Sequence, residues 1–125
     1  MADLLIAVAE GQARFEPDQI AAAILRQWPS ADIVTVDGPE LADLAQLMSM
    51  QATISDGQQV ATVEFHTSAK AIDVEGDDDL AAEILALVTR SMSIPEDNIV
   101  VMNWAEDIVA LRPNMTPDDV RALRT

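Results

Sequence analysis

The chain has 125 residues, half of them apolar, and carries 22 Asp and Glu against seven Lys and Arg, for a formal net charge of -15. Such a surface repels phosphate backbones and anionic lipid, so nucleic-acid binding and membrane docking are disfavoured and a basic protein is the favoured partner. There is no cysteine, which excludes disulfides, thiol nucleophiles, iron–sulfur clusters and zinc–thiolate sites.

The length fits one compact domain over 1–125. Aromatic residues are confined to Phe15, Trp28, Phe65 and Trp104. The core must therefore come from Ala, Leu, Ile and Val, with Met48, Met50, Met92 and Met102 filling irregular gaps. The opening "MADLLIAVAEG" has a short apolar run and no basic residue, unlike a signal peptide. No stretch approaches the roughly 18 apolar residues of a membrane span, so a cytoplasmic location is expected. Arg in place of Lys with abundant Ala suggests a GC-rich bacterial genome.

In chain order, "LLIAVA" (4–9) reads as a strand buried on both faces. "FEPDQIAAAILRQWP" starts a helix at Pro17, with Ile20, Ile24 and Trp28 on one face, and Pro29 ends it. "DIVTVD" (32–37) is a second strand. Gly38-Pro39-Glu40 opens a second helix with the stripe Leu41, Leu44, Ala45, Met48. A meander over about 51–75 follows. Asp56-Gly57 marks its first turn and pairs Ser55 with Gln58 and Ala52 with Ala61. "TSAK" makes the second and pairs Glu64 with Asp73 and Thr62 with Glu75. One face then carries Ala52, Ile54, Ala61, Val63, Phe65, Ile72 and Val74, and the other Thr53, Ser55, Thr62, Glu64, His66, Asp73 and Glu75.

A long helix over about 78–92 turns Leu80, Ile84, Leu87 and Val88 inward. "NIVVM" is a further apolar strand, "NWAED" turns the chain into "IVALR", and Thr116 caps a last helix with Pro117 at its first position. The expected architecture is α+β: a mixed sheet with helices on one face, loosely ferredoxin-like.

Five acids fall in the seven positions Asp73 to Asp79. An EF-hand loop needs Gly at its sixth position, and Gly76 comes too early when counted from Asp73. Asp77, Asp78 and Asp79 sit where a helix starts and complement its orphan N–H groups and dipole. Glu16, Asp18, Glu40, Glu96, Asp97, Asp118 and Asp119 repeat that pattern. A helix start does not account for Glu64 and Asp73, which face each other across strands as like charges. His66, the only histidine, shares their face, and a His–carboxylate pair can serve as a base or a metal ligand. No HExxH spacing, phosphate loop or GxSxG elbow accompanies it.

The leading expectation is a non-enzymatic protein-binding module of the immunity-protein or antitoxin kind. Glu64, His66, Asp73, Glu75 and Trp104 are its candidate contacts to a basic partner, with no cofactor and no metal. The alternatives are a small metal-binding or hydrolytic domain using His66 with Glu64 and Asp73, a DNA mimic, or an assembly subunit.

Overall fold

Alternation in the strands and the apolar stripes of the helices put the core on one side of a single sheet. The computed structural model describes residues 2–8, 15–35, 48–66, 70–91, 99–104, 108–112 and 114–124. Their elements are β1 (Ala2–Val8), α1 (Pro17–Gln27), β2 (Asp32–Thr35), β3 (Met48–Asp56), β4 (Gln59–His66), β5 (Ala71–Gly76), α2 (Asp78–Arg90), β6 (Ile99–Met102), β7 (Val109–Leu111) and α3 (Pro117–Ala122). The strands lie in the order β2-β3-β4-β5-β1-β6-β7.

The α+β class holds, but the sheet is antiparallel at every pairing, not mixed. The reason is placement. Strand β1 inserts between β5 and β6 and runs opposite to both. The two strand–helix–strand segments thus join strands that share a direction and are never neighbours. Met48 opens β3 rather than closing a helical stripe; the rest of that expected helix lies outside the described residues, as does Met92.

The meander separates its faces as the alternation predicts. Ala52, Ile54, Ala61, Val63, Phe65, Ile72 and Val74 are all buried. Its second turn has the expected register, Glu64 opposite Asp73 and Thr62 opposite Glu75. The first register differs by two residues: Asp56 pairs Gln59, Ser55 pairs Val60 and Ala52 pairs Val63. Gly57, with φ at 65°, is the first loop residue instead of the second. That is where a II′-type turn requires glycine. A shift of two preserves the side-chain alternation, so the faces are unaffected.

Helix α2 supplies the largest share of helical core. Nine of its residues are buried, with Leu80, Ile84, Leu85 and Val88 fully inaccessible. Each such side chain contributes about 1.5–3 kcal/mol on leaving water. Helix α1 adds Ile20, Ala21, Ala23 and Ile24. Trp28 is buried beside them, and its Nε1 donates to Asp56 Oδ2 at 3.4 Å. No described helix is long and apolar enough to cross a membrane.

Asp77 joins sheet to helix. Its N–H donates to Val60 O at 3.2 Å, and its Oδ2 accepts from Val60 N at 2.9 Å. This reciprocal pair draws the backbone before α2 against β4. Gly76 permits the approach, because a Cβ there would lie 2.4 Å from Val60 O and 2.6 Å from Ala61 Cα. Both obstacles are backbone and cannot swing aside. Gly76→Ala should therefore cost about 2 kcal/mol or more in urea unfolding; an unchanged midpoint would show that the backbone yields freely.

Candidate functional site

The face of the sheet opposite α1 and α2 carries four carboxylates on three adjacent strands. Register sets them side by side. Glu64 on β4 faces Asp73 on β5, and Glu75 on β5 faces Asp3 on β1. With Thr62, these four line one shallow depression. Among the described residues no Lys or Arg forms an ion pair with Asp3, Glu64, Asp73 or Glu75. Like charges directly opposite on a sheet are destabilising, modestly so in solvent.

Asp73 has one compensation. His66 Nε2 lies 2.7 Å from Asp73 Oδ2, and both side chains remain more than a third exposed, at 37% and 42%. The pair is diagonal across β4 and β5, since Asp73 stands directly opposite Glu64. A protonated His66 would bring one positive charge to the edge of the block. Among the described residues no three His, Asp or Glu side chains are grouped so as to hold a metal ion. Chemically, the block can attract cations and accept hydrogen bonds.

Four of the five sequence candidates, Glu64, His66, Asp73 and Glu75, therefore share one face. Asp3 completes the block and is the member that sequence reasoning missed. The apolar run from Leu4 reads as a strand buried on both faces. In the fold, β1 begins at Ala2 and buries only Ala2, Leu4 and Ile6, leaving Asp3 exposed on the open side and Leu5 and Ala7 partly covered there. The alternation of Ala2, Asp3, Leu4 was the available signal, masked by the run of apolar residues after it.

Trp104 stands apart from this face. It is 3% exposed, and its Nε1 donates to Val120 O at 2.9 Å. The Arg124 guanidinium lies 3.9 Å from the ring centroid, its Nε donates to Trp104 O at 2.9 Å, and its Nη1 donates to Asp78 Oδ2 at 3.2 Å. Arg121 reaches Asp79 at 3.4 Å and Asp118 at 2.9 Å. The side chains of the Asp77–Asp79 triplet thus bond β4 and the α3 segment, and Asp77 makes no side-chain cap. Their place at the start of α2 still favours the helix dipole. The expected cap of α3 is present: Thr116 Oγ1 accepts from Asp119 N, and Asp119 Oδ2 accepts from Thr116 N.

Comparison of the chain with family models, with curated proteins and with solved structures finds no match.

Two measurements follow from these charges. The Arg124 hydrogen bond holds the Asp78 carboxyl below its ordinary 3.8, and the Thr116 backbone and side chain do the same for Asp119. A carboxyl depressed on folding adds stability that is full above its unfolded value and is lost as pH falls through the folded one. Amide protection factors in α3, which divide out the intrinsic pH dependence of exchange, should therefore be constant above about pH 5 and fall below about pH 4. Asp78→Asn should show part of that loosening at neutral pH; protection factors in α3 unchanged between about pH 7 and about pH 3 would overturn this account. On the open face, Glu64→Gln and Glu75→Gln each remove a like-charge pair and should raise stability by up to about 0.5 kcal/mol at low salt. That gain should vanish near 1 M salt, where the screening length is about 3 Å.

Proposed function

We propose that this protein is a small acidic, non-enzymatic protein-binding module of the bacterial immunity or antitoxin kind, acting in the cytoplasm on a basic partner. The observation that carries the reading is the carboxylate block. Asp3, Glu64, Asp73 and Glu75 stand on an open sheet face at a cost in mutual repulsion, with no Lys or Arg of the described residues in ion-pair contact. A basic surface laid on that face would relieve the repulsion. It would also be steered to it by the net charge of -15, which raises association rates at low ionic strength.

Beside the block, Leu5 and Ala7 on β1 and Val100 and Met102 on β6 share the open side and are only partly covered. They offer apolar area next to the charges, the combination a partner with Arg or Lys around an apolar centre would match. Trp104 is left out of the proposed surface because it is buried under Arg124. The arrangement of β5, α2 and β6 around β1 favours reading the fold as a ferredoxin-like variant, with the β3–β4 hairpin as an addition.

The test is binding kinetics with the product of the neighbouring gene. Replacing Glu64, Asp73 and Glu75 by their amides should slow association about tenfold at low salt and flatten its salt dependence, with little change in dissociation. The double variant Asp3→Asn, Glu75→Gln leaves the His66–Asp73 pair intact and should give a part of the effect. Unchanged association in both variants would remove this face from consideration.

A second reading rests on the 2.7 Å His66–Asp73 contact, which is the geometry of an oriented base. It makes the protein a small metal-binding or hydrolytic domain. A thermal melt raised by millimolar magnesium, calcium, manganese or zinc, and no longer raised in His66→Ala, would favour it over partner binding. A DNA mimic or an assembly subunit has less support. The carboxylates form one block instead of a row of phosphate-like spacing, and the block would meet its own copy in a face-to-face pairing.

A further inference from the structure

A second charged feature lies on the helical side of the domain, across the sheet from the carboxylates, and has the opposite sign. The last turns of α1 and α2 border a cavity of about 390 Å³ lined by Ala23, Arg26, Gln27, Leu87, Arg90 and Ser91. That volume is of the order of small-molecule sites, although the depression is largely open to solvent. Its apolar lining is Ala23 and Leu87, both buried at 7% and 4% exposure.

Helix-end electrostatics account for part of this arrangement. Arg26 and Arg90 each sit in the last turn of a helix, where a cation complements the carbonyl end of the dipole. Two helix C-termini amount to about half a negative charge each. Two guanidiniums bring two positive charges, so about one positive charge is left over.

The last-turn carbonyls, moreover, have other donors. Trp28 N donates to Ile24 O, Ser91 N to Leu87 O and Val88 O, and Ser91 Oγ to Leu87 O. Arg90 uses only its Nε, in a 3.4 Å bond to Ala86 O. Neither Arg26 nor Arg90 has an ion-pair partner among the described residues, although the chain holds 22 acids. Glu83, the acid of α2 nearest in sequence to Arg90, is absent from the cavity lining.

The donor inventory fixes the ligand chemistry. Arg26 offers five N–H groups, the free end of Arg90 offers four more, and Gln27 adds an amide. Ser91 has already spent its proton on Leu87 O. Among the described residues no carboxylate lines the cavity. Guanidinium forks pair in bidentate fashion with carboxylate and phosphate oxygens.

We propose that this cavity binds a small oxyanion, a carboxylate or phosphate on a compact body, held between Arg26 and Arg90. The ligand must be small. Long polyanions would meet the net charge of -15 over the rest of the surface, whereas an ion seated in the cavity feels chiefly charges within a screening length of about 8 Å. This site is independent of the sheet-face reading, and either can stand without the other.

The experiment is a titration of the folded protein with inorganic phosphate and, separately, with citrate, followed by amide NMR shifts. Sodium chloride at matched ionic strength serves as the reference. The expected result is saturable shifts at Ala23, Arg26, Gln27 and Leu87 to Ser91 with at least one of the two anions, beyond those given by chloride. Phosphate alone would assign a phosphate ligand and citrate alone a carboxylate. Arg26→Gln and Arg90→Gln should each weaken binding about tenfold, and the double Arg→Lys variant should retain part of it by keeping the charge. Shifts equal to those of chloride, or undiminished in a double Arg→Gln variant with a wild-type amide spectrum elsewhere, would overturn the proposal.

Discussion

One-sided burial is the constraint on which this structure depends. Helix α2 packs against β5, the central strand of the sheet, and its neighbour β4, and with α1 dries only the near face. Every strand must then send one set of alternate residues into the core and the other set out to solvent. The dry set is apolar without exception over the meander. The wet set is thereby released from packing and free to carry charge, and Asp3, Glu64, Asp73 and Glu75 occupy it.

The acids of this chain divide by what they touch. Asp77 fastens β4 to the start of α2, Asp78 and Asp79 receive the arginines of the α3 segment, and Asp119 closes a capping box. These are structural contacts, exposed and individually modest. Around them the arginines are also sorted. Arg121 and Arg124 are committed to carboxylates, and Arg124 covers Trp104, whereas Arg26 and Arg90 converge on a cavity lined by no acid of the described residues. A strongly acidic protein thus keeps a carboxylate block on one side of its sheet and a small cationic pocket on the other. Net charge alone would never have distinguished the two sides.

The C-terminal segment shows how a small element is held without a large core of its own. Helix α3 has six residues, of which Val120 is buried. Its attachment rests on the Val120 carbonyl that accepts from Trp104, on Arg124 stacked over that ring, and on Met115 N donating to Thr89 Oγ1 at 3.0 Å. Thr89 is the buried polar residue of α2, and its hydroxyl donates in turn to Ala86 O at 2.7 Å, so its hydrogen-bonding capacity is used. Trp104 consequently ties α3 to the end of β6. An exposed tryptophan beside a turn and a buried one that anchors the next helix look the same in sequence.

What local chemistry dictates was legible in the sequence. Pro17 and Thr116 mark helix starts because their backbone and side-chain requirements are local. The meander faces follow from a period of two, and a register displaced by two residues at Gly57 leaves them intact. Glu64 opposite Asp73 followed from counting across the second turn. What the sequence could not contain was which strands become neighbours. The antiparallel seat of β1 between β5 and β6, the arrival of Asp3 beside Glu75, the burial of Trp104 and the meeting of Arg26 with Arg90 at one cavity all depend on packing between segments far apart in the chain. Periodicity reports which side of an element is apolar; only tertiary packing decides what lies against it.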